Sequence, residues 1–204
     1  GSIYGMSKQM CETVARYYYS RHGLRSIGFR FFTVYGPYGR LNMAIGAFAK
    51  AIEQGVALTV YGDGSQIRDY TYVGDVVAAI SAGIHAADAA LPVGADVLNV
   101  GAGDTCSVME LIAALEEAIG AKAIVEHGPR HPADVPATRA RNDRLAATLG
   151  VCPRPKLPQG LGLYLDSLHS RRPAAQDVRA RAPPAPNSRA ARPPPLFHLS
   201  PSTP

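Results

Sequence analysis

The sequence predicts an α/β fold with parallel strands, followed by a tail without regular structure. Segments with helical periodicity alternate with short runs of β-branched and aromatic residues, which is the usual pattern of an α/β protein. Glycines stand at the ends of most of these segments, where turns are expected. The composition changes abruptly near residue 170, where proline and arginine become frequent. The predicted domain therefore ends there.

The first part of the chain predicts two helices and three extended segments. Residues 3–21 lack proline and carry apolar side chains at helical spacing, so they predict a helix that Gly23 ends. The run SIGFRFFTV predicts a strand, and YGPYG predicts the loop after it. A second helix is predicted over MAIGAFAKAIEQG, up to Gly55. Two short extended segments follow, LTVYGDG and IRDYTYV.

The second part continues the alternation. GDVVAAISAGIHAA predicts a helix and DVLNVGAG a strand that ends in glycines. SVMELIAALEEAIG predicts a helix that begins with a capping box, since Glu110 follows Ser107 by three residues. AIVEHGP predicts a further strand, and two short helices are expected near 142–149 and 158–169.

The carboxyl-terminal segment differs from the rest in charge and composition. Residues 171–204 hold nine of the 17 prolines and six arginines but one acid, so the net charge of +5 comes entirely from them. A basic, proline-rich segment can bind nucleic acid or an SH3-like domain. It also carries too little apolar surface to offset the entropy of ordering. We therefore predict a domain over 1–169, a Pro/Arg-rich disordered tail over 170–204, and no nucleic-acid partner.

The cysteines indicate a reducing compartment. Cys11, Cys106 and Cys152 are odd in number and far apart, and no histidine stands at metal-ligand spacing from them. This argues against a zinc site or a disulfide framework and predicts a cytoplasmic protein without a bound metal. No apolar run approaches the length of a membrane span, and no signal sequence is apparent, so no membrane association is expected.

The first chemical motif is Tyr4 and Lys8 in Y-x-x-x-K spacing. Residues four apart lie on one face of a helix, so both side chains can point into one site. A phenol is a poor base at neutral pH, and a nearby ammonium lowers a phenol pKa and makes proton transfer with an alcohol practicable. In isolation, the commoner explanation of such a spacing is a surface lysine beside a half-buried tyrosine.

Further segments change that interpretation. YGMSK is followed in order by RFFTVYGPYGR, VYGDGSQIRDYTYVGD, LNVGAGDTCSVMELIAALEEAIG and GPRHPADVPATRARNDRLAATLG. Over residues 1–169 this order resembles the extended short-chain dehydrogenase/reductase family, in its branch of NAD-dependent nucleotide-sugar epimerases and dehydratases. The resemblance implies a Rossmann-like doubly wound sheet with a small carboxyl-terminal substrate-binding subdomain.

The family places the Y-x-x-x-K helix near the middle of its chain. The present sequence contains neither a G-x-x-G-x-x-G loop after a first strand nor an acidic residue after a second strand. We therefore expect a partial sheet whose amino-terminal half is missing. The NAD site would then be incomplete in this chain.

The resemblance implies roles for residues on the cofactor side. Tyr4 matches the catalytic base, and Lys8 matches the residue that binds the nicotinamide ribose and tunes that base. Thr33, Val34 and Tyr35 match the strand end and loop that line the nicotinamide and sugar pocket, so Thr33 is also a candidate substrate contact.

On the substrate side, the resemblance places Arg68 on the nucleotide diphosphate. Asp69, its neighbour in the sequence, is expected to orient it. A permanently charged, planar guanidinium suits bidentate phosphate binding. Arg130 matches a second arginine on the diphosphate, and Asp134 matches an acid on the nucleotide ribose.

The segment VYGPYGRLNMA separates relatives by their sugar, and it is most similar to UDP-glucuronate 4-epimerases. Arg40 aligns with an arginine near the sugar carboxylate, and Met43 is retained. Leu41 and Asn42 depart from the family's Pro-Asp at that place.

The resemblance thus implies a homodimeric, NAD-dependent 4-epimerase acting on UDP-glucuronate and UDP-galacturonate. UDP-glucose 4-epimerase and sugar-nucleotide dehydratase remain alternatives, as does a non-catalytic truncated remnant. Residues 1–204 alone are expected to show no activity.

Overall fold

The computed structural model describes residues 3–86, 94–130, 134–154 and 156–170. The predicted tail from residue 171 onward lies outside the described residues. The helices and strands are α1 (Ile3–His22), β1 (Ser26–Phe31), β2 (Thr33–Tyr35), α2 (Ala44–Gln54), β3 (Ala57–Tyr61), β4 (Ile67–Tyr72), α3 (Val73–His85), β5 (Ala95–Val100), β6 (Thr105–Ser107), α4 (Val108–Ile119), β7 (Ile124–Gly128), α5 (Asp143–Leu149) and α6 (Leu157–His169).

The strands β1 and β5 form a parallel sheet that carries the first core. Ser26 lies opposite Ala95 and Phe31 opposite Val100. The helices α3 and α5 pack against one face of this sheet, and the helix α1 contacts the sheet as well. The buried side chains of this core are Val76, Ala79, Leu98, Val100 and Leu145.

The predicted strand SIGFRFFTV is in fact two strands in two sheets. β1 pairs with β5, whereas β2 pairs in parallel with β4. The change occurs at Phe32, whose backbone N–H donates to the carbonyl of Val100 at 3.3 Å. In the described residues, β1 and β5 end opposite each other at Phe31 and Val100, and from Thr33 the chain continues beside β4. The apolar run predicted the strands but not this change of partner.

The second core lies between the remaining helices and strands. β4 pairs with β2 in parallel and with β6 in antiparallel register, and β3 pairs with β7 in parallel. The predicted parallel α/β arrangement is therefore confirmed, with one antiparallel strand added. The helices α2, α4 and α6 cover these sheets. The buried core residues are Tyr35, Ile45, Ala49, Ala51, Ile52, Leu58, Val60, Tyr70, Leu111, Ile112, Leu115, Leu161, Tyr164 and Leu165.

The predicted capping box at the start of α4 is confirmed. The Glu110 backbone N–H donates to Ser107 Oγ at 3.1 Å, and the Ser107 backbone N–H donates to Glu110 Oε2 at 2.7 Å. The helix ends at Gly120, which has a left-handed φ of 77°. These local signals explain why this helix could be located from the sequence.

A buried carboxylate joins three segments of the fold. Asp69 in β4 is fully buried. Its Oδ1 accepts from the Ala102 N–H at 2.7 Å and its Oδ2 from the N–H groups of Gly103 and Ala140, both at 3.0 Å. The Thr71 hydroxyl donates to Oδ1 at 3.2 Å. One side chain therefore holds the loop after β5 and the segment before α5 against β4.

Gly160 allows α6 to approach the core closely. A Cβ atom at this position would overlap the hydroxyl oxygen of Tyr35 and lie 2.9 Å from its Cζ. We expect Gly160→Ala to lower the free energy of unfolding by about 1–3 kcal/mol, because overpacking a well-filled core costs that much. Urea-induced unfolding followed by circular dichroism measures this change.

The same helix offers a control for that substitution. A Cβ at Gly162 would meet nothing within 4 Å, so Gly162→Ala should be neutral or stabilising by up to about 1 kcal/mol. In a Tyr35→Phe background, which removes the overlapping hydroxyl, Gly160→Ala should cost less. Equal costs in both backgrounds would contradict this account of the contact.

Candidate active site

The two residues of the Y-x-x-x-K motif lie together on α1. The Lys8 ammonium nitrogen is 5.3 Å from the centroid of the Tyr4 ring. Tyr4 is 72% exposed, so the phenol is accessible. The helix places a cationic group beside a phenol, as the spacing predicted.

A cavity of about 480 Å³ lies between α1 and the β1–β5 sheet. Both motif residues line it, and Cys11, Glu12 and Ala15 line it on the next turns of α1. From the sheet side, Gly28, Phe29, Arg30 and Phe31 of β1 and Ala95, Asp96 and Val97 of β5 complete the lining. The motif therefore faces a concave surface that can receive a ligand.

The three predicted residues of the β2 segment differ in accessibility. Thr33 and Val34 are half-buried, and Val34 packs against the first core. Tyr35 is buried, and its hydroxyl points toward Gly160. Burial, and to a smaller extent the charge of Asp75, raises the pKa of Tyr35 well above its usual range. The Tyr35 side chain thus belongs to the core. A cofactor contact of Tyr35 stays a prediction, and the backbone of this residue would have to make it.

Arg40 and Met43 lie together in the loop before α2. Arg40 is exposed, and its Nη2 is 3.8 Å from the sulfur of Met43. Two residues before Arg40, the side chain of Tyr38 is 88% exposed, and the residue adopts a left-handed φ of 66°. Such a φ is uncommon for a residue other than glycine.

Arg68 and Asp134 form an ion pair. Arg68 Nη2 contacts Asp134 Oδ1, and Arg68 Nη1 also donates to the Ile67 carbonyl at 2.8 Å. Both side chains retain some exposure, 17% for Arg68 and 29% for Asp134. The structure therefore brings together two residues that the sequence assigned to one nucleotide.

Asp69 does not orient Arg68, and that expectation is wrong. Its two carboxylate oxygens accept from the backbone at Ala102, Gly103 and Ala140. Adjacent residues of a strand point to opposite faces of the sheet. Arg68 therefore faces Asp134, while Asp69 faces the interior.

Arg130 follows β7 and is exposed. Its Cβ and Cγ lie beside Gly62, 3.5 and 3.6 Å from where a glycine Cβ would stand. Hydrogen bonds from Ser65 hold the pKa of the neighbouring Asp63 below its usual range, with a smaller contribution from Arg130. Arg130 thus stands at the loop after β3.

A second cavity, of about 440 Å³, lies between α2 and β3, and sequence reasoning missed it. Tyr61 is 60% exposed at the end of β3 and offers an aromatic face. The available signal was the alternation in LTVY, which places Thr59 and Tyr61 on the exposed face. The lining consists of Asn42, Ala44, Ala47, Phe48, Ala51, Ala57, Leu58, Thr59 and Tyr61.

The described residues contain neither a candidate metal-binding cluster nor a candidate membrane span. Among these residues, no group of three or more His, Cys, Asp or Glu side chains is placed to hold a metal ion. No helix in the same part of the chain combines the length and apolar character needed to cross a membrane.

Comparison with known proteins adds a family and a set of relatives. The model of the NAD dependent epimerase/dehydratase family matches residues 1–101. A probable UDP-glucuronate 4-epimerase of Rhizobium meliloti is 32% identical over 179 residues, which covers 81% of this chain and 52% of the relative.

Solved structures of nucleotide-sugar enzymes are similar to this chain as well. MoeE5 in complex with UDP-glucuronic acid and NAD is 33% identical with a TM-score of 0.77, over 83% of this chain and 56% of that one. The UDP-glucuronic acid 4-epimerase of Bacillus cereus, in complex with UDP-glucuronic acid and NAD, is 27% identical with a TM-score of 0.74, over 82% and 52%. The chain spans about half the length of the relatives it matches. Residues 1–101 of this chain thus match the NAD-dependent epimerase/dehydratase family.

Proposed function

We propose that this chain carries the catalytic tyrosine and the nucleotide-binding side of a 4-epimerase that interconverts UDP-glucuronate and UDP-galacturonate. The observation that carries the proposal is the Tyr4–Lys8 pair, which lies on one helix face beside a cavity. The names of the relatives support the nucleotide sugar as the substrate class.

The residues present fit one end of an NAD molecule. Tyr4 and Lys8 offer an exposed hydroxyl and an ammonium, which suit the hydroxyls of the nicotinamide ribose. Thr33 and Val34 would lie at the nicotinamide and sugar side. When bound, NAD supplies the hydride acceptor and donor for C4 of the sugar.

Tyr4 acts as the base in this proposal. Its phenolate accepts the proton of the C4 hydroxyl and later returns it, so no net oxidation results. Lys8 places a positive charge beside the ring. The chemistry requires that the base be within hydrogen-bond reach of the sugar hydroxyl. The exposure of Tyr4 satisfies the need for access.

Arg68 and Arg130 would bind the diphosphate, and Asp134 would bind the ribose. Arg68 now pairs with Asp134, so the incoming diphosphate would replace one anionic partner with another. This exchange keeps the guanidinium charge satisfied in both states. The cavity beside Tyr61 offers an aromatic and apolar surface of the kind that a flat base occupies.

Replacing Arg68 with lysine tests the diphosphate assignment. We expect Arg68→Lys to weaken UDP binding by about tenfold or more, because an ammonium cannot reproduce a bidentate guanidinium contact. Isothermal titration calorimetry with UDP measures the loss. Arg141→Lys is the matched control, since Arg141 is exposed and pairs with Asp143 at 2.9 Å. Equal losses in both variants would contradict the assignment.

UDP-glucose is the second candidate substrate. Leu41 and Asn42 stand where the UDP-glucuronate 4-epimerases have Pro-Asp. MoeE5 has been solved with UDP-glucose and NAD as well, at the same TM-score of 0.77. Arg40 favours the carboxylated sugar because it is an exposed cation in the same loop.

The protein is further proposed to act as a cytoplasmic homodimer in carbohydrate metabolism, without a nucleic-acid or membrane partner. Support for the homodimer comes from α1, where Met6, Met10 and Val14 are 59%, 65% and 53% exposed at helical spacing. A surface of this kind usually contacts another protein. Sedimentation equilibrium measures the molecular mass and tests the homodimer.

The reaction itself is tested by joining this chain to the amino-terminal segment of the Rhizobium meliloti relative. Incubation with UDP-glucuronate should give the C4 epimer, which proton NMR detects. The 204-residue polypeptide by itself is the control and should form no epimer and retain no NAD. Its sequence has no G-x-x-G-x-x-G loop, and each lost pyrophosphate hydrogen bond costs about 1.5–3 kcal/mol. Turnover of UDP-glucose but not UDP-glucuronate would move the assignment to the second candidate.

A further inference from the structure

We propose that the ion pair between Glu12 and Arg30 positions α1 on the sheet and thereby sets the placement of Tyr4 and Lys8. Glu12 and Arg30 are positioning residues in this proposal, since neither is assigned to the reacting atoms. The catalytic consequence of the pair rests on the proposed function, whereas its effect on the helix does not.

The helix α1 has little buried apolar surface to hold it. Residues 3–22 are all described, and none of them is buried. Only Glu12 and Ala15 among them are even half-buried. Tyr19 supplies a further contact near the end of the helix, where its ring covers Gly94. A charged residue therefore stands at the centre of the contact between this helix and the sheet.

The geometry of the pair fixes orientation as well as distance. Arg30 Nε donates to Glu12 Oε1 and Arg30 Nη2 donates to Glu12 Oε2, both at 2.7 Å. The Glu12 side chain is only 16% exposed, although that of Arg30 is 58% exposed. The hydrogen bonds from Arg30 hold the pKa of the Glu12 carboxyl below its usual range. Exposed ion pairs usually contribute little, but a bidentate pair with a shielded carboxylate is the favourable exception.

Because of where the pair lies on α1, a small tilt of the helix at Glu12 displaces Tyr4 and Lys8. Tyr4, Lys8 and Glu12 follow one another at four-residue steps on one side of the helix. With a rise of 1.5 Å per residue, Tyr4 lies about 12 Å along the axis from Glu12. A tilt of about 5° around Glu12 would therefore move Tyr4 by about 1 Å. A misplacement of that size can lower a rate by about 10²-fold.

The other end of the pair connects to the cofactor side. Arg30 lies in β1, three residues before Thr33 at the start of β2. Glu12 and Arg30 thus tie the helix of the base to the strand that leads to the predicted nicotinamide contact. The reaction needs a constant distance between the base on α1 and the nicotinamide contact after β1.

The first test measures the position of α1 in the 204-residue chain without any activity assay. Spin labels are attached at Gln9→Cys and at Cys152, both exposed sites, with Cys11→Ser removing the other exposed thiol. Cys106 reacts slowly because burial raises its pKa to about 11. Pulsed electron paramagnetic resonance should give a narrow distribution of the distance between the two labels, and Arg30→Met should broaden it.

Matched variants separate this effect from a general loss of structure. Exchange of the charges, Glu12→Arg with Arg30→Glu, should narrow the distribution again. Arg30→Lys should give an intermediate width, because an ammonium makes one contact in place of two. Arg141→Met removes a different exposed pair and should leave the distribution unchanged. An unchanged distribution in Arg30→Met would overturn the proposal.

The second test uses the chain joined to the amino-terminal segment of the relative. Per bound NAD, Arg30→Met should lower kcat by about 10–100-fold, with the KM for UDP-glucuronate changed less than about twofold. The charge exchange should recover most of kcat. If Arg30→Met broadened the distance distribution but left kcat unchanged, the pair would stabilise α1 without affecting catalysis, and its positioning role would be overturned. If the unsubstituted joined enzyme is inactive, the proposed function fails, and the distance measurement still decides whether the pair holds α1.

Discussion

Tyr4→Phe is expected to lower the rate of C4 epimerisation by about 10²–10⁴-fold in the joined enzyme, because the substitution removes the only group proposed to accept the hydroxyl proton. The ring remains, so its contact with Lys8 and the shape of the cavity are preserved. The KM for the nucleotide sugar should change little, since the diphosphate is proposed to bind elsewhere. Proton NMR of the reaction mixture gives the rate directly.

Two tyrosines serve as controls for this substitution. Tyr17 lies on the same helix and is 57% exposed, and Tyr61 lies in the cavity between α2 and β3. Tyr17→Phe should leave kcat and KM unchanged, whereas Tyr61→Phe should retain the aromatic face and affect KM more than kcat. If Tyr4→Phe kept the full rate, the base would have to be another group, and the proposed mechanism would be wrong.

Asp69→Asn is expected to lower the free energy of unfolding by about 3–5 kcal/mol, which is the cost of breaking a buried, hydrogen-bonded charge network. The carboxylate accepts three backbone N–H groups and one hydroxyl. An asparagine offers one oxygen to these donors. Its NH2 group, which can only donate, would face the remaining backbone N–H groups. The unpaired backbone groups at Ala102, Gly103 or Ala140 would then be buried without partners.

Urea-induced unfolding of the 204-residue chain measures this effect. Asp104→Asn is the matched control, because Asp104 lies in the same loop after β5 but is exposed. Its cost should stay within about 0.5 kcal/mol. Similar costs for the two substitutions would show that the buried carboxylate does not hold the loops in place.

Local signals allowed much of the fold to be predicted. Helices bounded by glycine or opened by a capping box were located closely, as Gly55, Ser107 and Gly120 illustrate. The alternation of helices and strands gave the α/β class. These features depend on residues that are close in sequence, so a single chain is enough to find them.

Features that depend on distant partners were missed. The apolar run through Phe32 gave no sign that one half pairs with β5 and the other with β4. Thr105–Ser107 is too short to predict a strand, and it forms one because β4 lies beside it. Asp69 was placed beside Arg68 because the two are adjacent in sequence, although strand geometry turns them apart.

The candidate site divides in the same way. The Tyr4–Lys8 pair depends on helical spacing alone, and the structure brings the two side chains together. Arg68 and Asp134 are 66 residues apart in sequence and were assigned to one nucleotide only through a family resemblance. The alternation in LTVY indicates the exposed face that carries Tyr61, but the cavity itself depends on the packing of α2 against β3.

The Asp69 carboxylate has a consequence for folding kinetics. Its backbone partners are 33, 34 and 71 residues away along the chain. Closing such long loops costs entropy before any contact is gained, so these hydrogen bonds should form after the rate-limiting step. Interactions absent from the transition state slow unfolding without speeding folding. Asp69 should therefore act on the lifetime of the folded chain, and a substitution there should shorten that lifetime while the refolding rate stays nearly constant.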